Sequence, residues 1–269
     1  MSEAPARYEQ ILYERQGRVG LITLNRPEKL NAWTPTMENE FMEAVSGASS
    51  DPQVGALVVT GAGRGFCAGA DISGWNQNLS RRAQRPASPL EARDGSPEVP
   101  VTLRKAKPVI AAINGPSVGV GLTMTLACDI RIASDRARFS ARFVKVGLTP
   151  ECGSTRYLPA VTGLPNALFL ALTGRIIDAE EALRRGLVDR VVPHEQLLDE
   201  AMSLAAEIAA NPADAVWAAK RLLHENAARE DMRQVVSQET LMIREMRRLP
   251  AHAEAVRAFM EKREPRFHD

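Results

Sequence analysis

Residues 108–128 carry no charged side chain, yet Asn114-Gly115-Pro116-Ser117 interrupts the run near its middle. An uncharged stretch of this length is long enough to suggest a membrane span. The interruption argues against one, because it divides the stretch into two short apolar pieces. Val109-Ile110-Ala111-Ala112-Ile113 reads as a buried strand and residues 122–128 as the start of a buried helix, with a tight turn between them. A chain that carries this segment has to bury it within its own core.

Further apolar, β-branched runs lie at 19–24, 56–60 and 130–133. Helical patterns separate several of them, as at 36–45 ahead of Asp51-Pro52. Strands alternating with helices predict an α/β core. Beyond about residue 195 the pattern is helical throughout. There, Leu198, Ala201, Met202, Ala205, Ile208 and Ala209 follow the three-and-four spacing of a buried helix face. Asn211-Pro212 is expected to end that helix and cap the next, with Asn at N-cap and Pro at the first helical position. The expected division is a core over 1–200 and a helical region over 201–269. Residues 75–100, rich in Arg, Gln, Ser and Pro, read as a long loop whose Arg81, Arg82 and Arg85 could attract an anion or simply face solvent.

At 269 residues the chain fits one large domain, or one core with a smaller appended piece. Its net charge of +1 offers no global attraction to nucleic acid or to an anionic membrane. Cys67, Cys128 and Cys152 are widely spaced, with neither zinc-ligand spacing nor a disulfide framework, which suits a reducing cytoplasm. No metal site is expected. The N-terminus lacks the basic start and apolar core of a signal peptide.

Glu151 is the single acidic residue between Asp135 and Asp178. It stands in a turn-rich, uncharged run, Gly147-Leu148-Thr149-Pro150-Glu151-Cys152-Gly153-Ser154-Thr155. A lone carboxylate in such surroundings is what one-base proton shuttling requires; the plainer reading is a cap on the helix opening at Gly153-Ser154. Phe66-Cys67-Ala68-Gly69-Ala70-Asp71 and Asn114 to Gly121 can both present backbone N–H groups to a developing negative charge. The three segments together suggest an enzyme that makes and quenches an enolate.

Other chemistries compete for the same residues. Gly115-Pro116-Ser117-Val118-Gly119 fits the Gly-x-Ser-x-Gly elbow of a serine hydrolase. That reading needs a later acid and then a histidine, and the histidines are His194, His224, His252 and His268, three of them in the helical tail or at the terminus. Ser117 as a small turn residue is the simpler account. Gly61-Ala62-Gly63-Arg64-Gly65 has the spacing of neither a dinucleotide fingerprint nor a P-loop and reads as a turn. Cys152 has no histidine near it in sequence and reads as an inert small side chain.

Asn25-Arg26-Pro27-Glu28-Lys29-Leu30-Asn31-Ala32, Phe66 to Asp71, Asn114-Gly115, Cys128-Asp129-Ile130, Thr173-Gly174-Arg175 and the set Glu180, Ala182, Gly186, Leu187 and Val188 occur in an order that resembles the crotonase (enoyl-CoA hydratase/isomerase) superfamily. The resemblance covers roughly residues 8 to 265. It implies an α/β fold with a crotonase-like spiral of β-β-α units and a helical C-terminal oligomerisation region that builds a homotrimer or a dimer of trimers. It also implies an acyl-CoA substrate from fatty acid metabolism, with no separate cofactor, since coenzyme A belongs to the substrate. Neither a nucleic-acid partner nor a membrane partner is implied.

By motif position the resemblance places the two thioester-binding N–H groups on Ala68 and Val120. It assigns coenzyme A or substrate contacts to Lys29, Ala32, Ala70, Asp71, Ile72 and Phe143, and to Phe259 and Lys262, which often come from a neighbouring subunit. The loop at 75–100 is expected to line the acyl pocket, and Gly69, Gly119 and Gly121 to let the chain approach the substrate. The two glutamates of a typical hydratase correspond to Thr123 and Phe143, so two-glutamate hydration is closed to this chain. Glu151 matches the place where some family isomerases carry their single acid/base, with Phe143, Val146 and Leu148 expected to supply apolar surroundings. Double-bond isomerisation through Glu151 is the favoured reading. Hydration with Glu151 activating water, and a non-catalytic acyl-CoA-binding member, stay open beside it.

Overall fold

The computed structural model describes residues 8–73 and 99–268. The expectations for Arg81, Arg82, Arg85 and most of the loop around them lie outside the described residues. Val99 and Pro100, read as loop, instead belong to a helix.

The four anticipated strands are present and form the middle of a six-stranded sheet of order β1-β2-β3-β4-β6-β9. Its strands are β1 Ile11–Gln16, β2 Val19–Leu24, β3 Ala56–Gly61, β4 Val109–Ile113, β6 Ile130–Ser134 and β9 Arg190–Val192. The first pair is antiparallel and the rest are parallel. β4 is buried at every position, as a central parallel strand covered on both faces has to be.

Alternation along the strands sorts the core into two layers. Val19, Leu21, Ala56, Val58, Ile110, Ala112 and Ile132 face one way, against Leu197, Ala201, Ala205 and Ala209. Ile22, Leu24, Leu57, Val59, Val109, Ala111 and Ile113 face the other, into the larger core. The first layer is closed by one helix, Leu197–Ala210. Its alanines let it lie close to the sheet, where a Cβ added at Gly55 would meet the Ala209 Cβ at 2.6 Å. Each large apolar side chain fully buried in these layers contributes about 1.5–3 kcal/mol.

The helices are numbered in chain order: α1 Pro35–Ser50, α2 Val99–Lys105, α3 Val120–Thr123, α4 Ser154–Thr162, α5 Leu164–Thr173, α6 Ala179–Arg184, α7 Leu197–Ala210, α8 Ala213–Asn226, α9 Met232–Met246 and α10 Pro250–Glu261. Helix α7 runs across residue 200 and packs on the sheet, so the core and the helical region share it. Asn211 departs from its expected role. Its side-chain amide donates to the Glu207 and Ile208 carbonyls at the end of α7, and Pro212 takes the N-cap position of α8. Among the described residues no helix is long and apolar enough to cross a membrane.

The interruption at 114–117 is more than a tight turn. Pro116–Val118 forms a strand, β5, in a second sheet of order β5-β7-β8, with β7 Arg138–Ser140 and β8 Ile177–Asp178. Asn114 ends β4 by accepting from Gly61 N–H and donating to the Gly63 and Gly65 carbonyls. The uncharged run thus leaves one sheet, enters the other, and turns into α3 followed by a 3-10 turn over Thr125–Ala127.

Candidate active site

The loop at 66–71 is built against two neighbours. Cys67 pairs with Ser117 and Ala70 with Trp33 as isolated parallel bridges. Trp33 N–H donates to the Gly69 carbonyl and Asp71 N–H to the Trp33 carbonyl, both at 2.8 Å, so the main chain of Trp33 clamps the peptides on either side of Ala70. Arg26 holds the end of the loop, with one guanidinium nitrogen 2.9 Å from the Asp71 carboxylate and another donating to the Ala32 carbonyl at 2.6 Å. Hydrogen bonds from Ser73, together with Arg26, bring the Asp71 carboxyl down to about 2. Asp71 is therefore tied into the loop's own scaffold.

The assignment of a thioester donor to Ala68 does not survive the geometry. Ala68 N–H donates to the Leu30 carbonyl at 3.0 Å, because Leu30 and Asn31 adopt left-handed conformations that turn this carbonyl toward it. Two residues on, Ala70 N–H has no acceptor among the described residues, and Ala70 is exposed. Val120 N–H likewise lacks an acceptor, as expected for the first residue of a helix.

Glycines bring these two N–H groups into one place. Gly69 has φ +103°, and a Cβ there would stand 3.1 Å from the Val118 carbonyl oxygen. A Cβ at Gly121 would overlap the Cys67 carbonyl oxygen, and one at Gly119, at φ +56°, would meet the Gly69 Cα at 3.8 Å. At Gly69 and Gly121 the missing side chain lets the 67–70 loop and the 117–121 loop lie against each other, while at Gly119 it is the positive φ that calls for glycine.

Glu151 enters from a third direction. Cys152 has φ +55° and Gly153 +69°, two successive left-handed residues just before α4. The left-handed conformation costs a non-glycine residue roughly 1–2 kcal/mol, and such strain tends to cluster at functional positions. Helix α4, which follows Glu151 directly, packs on the 3-10 turn over Thr125–Ala127, and so the Glu151 segment lies near the end of the short helix that begins with the Val120 donor. The Cys152 thiol is pushed to about 12, chiefly by burial, and is no nucleophile.

The Glu151 side chain is half-buried and makes no hydrogen bond to the described residues. The helix-cap alternative fails, because α4 has Gly153 at N-cap without a side-chain cap, and Ser154 bonds back to the Glu151 main-chain carbonyl. Burial raises the carboxyl's proton affinity, and the charge of Glu38 raises it further. Of the three residues expected to form an apolar shell, two are largely exposed within the single chain. Phe143 is buried, whereas Val146 and Leu148 are 59% and 46% exposed.

Thr123 and Phe143 offer no carboxylate, and among the described residues no cluster of His, Cys, Asp and Glu could hold a metal. Of the remaining expected contacts, Lys29 and Ile72 are exposed beside the loop, and Ala32 is half-buried next to the Trp33 clamp. Phe259 is 81% exposed and Lys262 ends α10 in a left-handed conformation, and neither is brought to the Ala70–Val120 loops within the single chain. Ser117 is fully buried and its hydroxyl donates to the Gly121 carbonyl at 2.9 Å, with no histidine bonded to it. A cavity of about 650 Å³, lined by Pro100, Val101, Tyr157, Trp217, Arg221 and His224 among others, meets the Glu151 segment at Gly153. Glu151, Ala70 and Val120 do not line it, so it is not where the chemistry sits.

The mixed sheet with its helical C-terminal region is the crotonase fold, and it carries the two open N–H groups and the Glu151 carboxyl. The enoyl-CoA hydratase/isomerase family model matches residues 14–269, and the chain belongs to that family, within the crotonase superfamily. It is similar to the protein named "Probable enoyl-CoA hydratase echA8" of Mycobacterium bovis, with 36% identity over 97% of this chain and 98% of the relative. It is equally similar, at 36% identity over 96% and 98%, to the 1,2-epoxyphenylacetyl-CoA isomerase of Escherichia coli K12. Among solved structures, an enoyl-CoA hydratase subunit from Geobacillus kaustophilus superposes with a TM-score of 0.86 at 32% identity, covering 97% of this chain and 98% of that one. The enoyl-CoA hydratase of Bacillus anthracis gives 0.85 at 30%, covering 96% and 99%. The protein is an acyl-CoA enzyme of this family.

Proposed function

We propose that the protein shifts a double bond in an unsaturated acyl-CoA, with Glu151 as the single acid/base and the N–H groups of Ala70 and Val120 as the oxyanion donors. The observation that carries this reading is the Glu151 carboxyl, half-buried, without a hydrogen-bond partner among the described residues and raised in proton affinity, while positions 123 and 143 carry no carboxylate. An isomerase among the similar proteins supports the choice.

The thioester oxygen of a 3-enoyl-CoA accepts from both N–H groups. Glu151, as carboxylate, takes a proton from C2. The electron pair left behind delocalises through the C3–C4 double bond and the thioester, giving a conjugated dienolate whose negative oxygen the two donors stabilise. Donors of this kind are worth about 3–4 kcal/mol each when judged by their removal. Glu151 then returns the proton to C4, and the double bond comes to rest between C2 and C3. Protons and charge balance without any co-reactant. A carboxyl that keeps its proton more readily than usual suits both halves of the step.

Purified protein incubated separately with 3-enoyl-CoA and 2-enoyl-CoA tests the reaction class. Conversion of the first to the second without uptake of water is expected. Formation of 3-hydroxyacyl-CoA with no interconversion of the enoyl isomers would assign hydration instead. Conversion of neither, with binding retained, would leave a non-catalytic acyl-CoA binder. The homotrimer or dimer of trimers that the family resemblance implies belongs to this proposal, with Phe259 and Lys262 supplied across a subunit contact.

A further inference from the structure

The cavity that meets the Glu151 segment at Gly153 is walled by α2, α4 and α8, three helices the proton transfer does not use. Its volume of about 650 Å³ is that of a small-molecule site. Pro100, Val101, Tyr157 and Trp217 give it an apolar surface, and Val101 and Trp217 are exposed there rather than packed in the core. Gly153 stands at the corner. A Cβ at this residue would lie 3.2 Å from the Tyr157 ring and 3.7 Å from the Pro100 Cβ, so the glycine keeps the gap between α2 and α4 open two residues from Glu151.

The rest of the wall is charged. Lys220 is buried, and its ammonium meets the Asp129 carboxylate at 2.7 Å and the Leu103 and Lys107 carbonyls at 2.9 and 3.2 Å. Asp129 also accepts from Val109 N–H at the start of β4 and from His224 Nε2 at 3.2 Å, which pins the end of α8 to the central sheet. The His224 carbonyl in turn accepts from one guanidinium nitrogen of Arg104 at 2.9 Å, fixing that side chain at the cavity. Lys220 is thus neutralised by Asp129, and Arg221 by Glu225 at 2.8 Å. Arg104 and Lys105 line the same cavity and have no carboxylate partner among the described residues.

We propose that this cavity receives the far end of the substrate's acyl group, and that Arg104 and Lys105 select an acyl group ending in a carboxylate. This rests on the reading of Glu151 as the acid/base and names the substrate class of the same site. A chain whose C2 to C4 lie at Glu151 and which continues past Gly153 enters between Pro100 and Tyr157. It then runs along Val101 and Trp217 and brings its end to the two cations. A terminal carboxylate is held there by the guanidinium nitrogens that the His224 carbonyl leaves free, in charge-assisted hydrogen bonds. A methyl end leaves both charges without a partner. Glu225, the carboxylate of the wall, is spent on Arg221 and does not repel the ligand.

The test uses acyl-CoA thioesters of equal chain length that end in a methyl group or in a carboxylate, with wild type, R104M and K105M. Calorimetric Kd values for a saturated pair read the end group without turnover, and kcat/KM for a 3-enoyl pair reads it with turnover. Wild type prefers the carboxylate end by roughly 10–100-fold in Kd, the range of hydrogen bonds to a charged group. R104M loses most of that preference and keeps its methyl-ended values within about twofold of wild type. K105M changes an exposed side chain outside the contact between α2 and α8, and it loses part of the preference. Equal Kd values for the two ends in wild type, or tighter binding of the methyl end, overturn the proposal whether or not 3-enoyl-CoA is isomerised. A preference unmoved in both variants overturns the assignment to these two residues. Weaker binding of both thioesters in R104M, at an unchanged Tm, gives the arginine to the phosphates of coenzyme A and overturns it as well. The carboxylate preference in Kd, with neither 3-enoyl-CoA isomerised, upholds the end-group site and overturns the proposed reaction alone.

Discussion

Ala68 N–H donates to the Leu30 carbonyl at 3.0 Å, and this one bond is why the proposed oxyanion donor is Ala70, two residues along the chain. With Ala68 committed to the turn at 30–31, Ala70 and Val120 hold the open donors. Val120 is also the first residue of α3, the helical position where proline is best tolerated. V120P therefore deletes one donor without removing any backbone hydrogen bond of the fold. Its kcat for 3-enoyl-CoA falls by roughly 10²–10³, while its far-UV circular dichroism matches the wild type.

The Glu151 carboxyl makes a second prediction through stability. Its proton affinity in the folded protein exceeds the ordinary value of 4.5, mainly through burial and secondarily through Glu38. Between 4.5 and the raised value the folded state holds more protons than the unfolded state, so stability falls as pH rises through that window. Below the window the penalty vanishes, because both states are protonated. E151Q, which cannot ionise, has a higher Tm than wild type at neutral pH, and the difference closes toward pH 4. A difference independent of pH would show that the carboxyl is not desolvated.

The glycines at the loop crossing separate function from packing. G121A drives a methyl group into the Cys67 carbonyl and forces the two donor loops apart. It costs about 1–3 kcal/mol in denaturant unfolding and abolishes detectable turnover. G47A, inside α1 with open space around its Cβ, gains about 0.5–1 kcal/mol and leaves the rate unchanged.

Ser117 serves as a packing residue, its hydroxyl spent on the Gly121 carbonyl. S117A loses about 1 kcal/mol of stability and keeps its turnover of 3-enoyl-CoA. A serine-directed phosphonate leaves the enzyme active, and inactivation with label on Ser117 would restore the hydrolase reading.

The strands and the helical tail were legible because burial imposes its period directly on the residues. β4 is apolar throughout since both its faces are covered, and α7 shows its stripe because only one of its faces is. Glu151 stood out for lack of any other acid near it. Three features were not legible. Whether Ala68 or Ala70 has an open N–H depends on the direction of the Leu30 carbonyl, set by a left-handed φ of 50° at a residue whose type does not ask for it. Pro116-Ser117-Val118 looked like a turn because three-residue strands are too short to show alternation. Glu38 looked like an ordinary first-turn acid after the Thr34 cap, and its hydrogen bond to the Trp33 indole five residues back is set by the turn between them, which residue type does not announce.

The central claim is that Glu151 moves the proton. Its most direct test is the initial rate of 2-enoyl-CoA formation from 3-enoyl-CoA, measured for wild type and E151Q at one pH and at saturating substrate. A fall of roughly 10²–10⁴, with binding of the acyl-CoA preserved, is the predicted result. An E151Q enzyme that isomerises at the wild-type rate would contradict it.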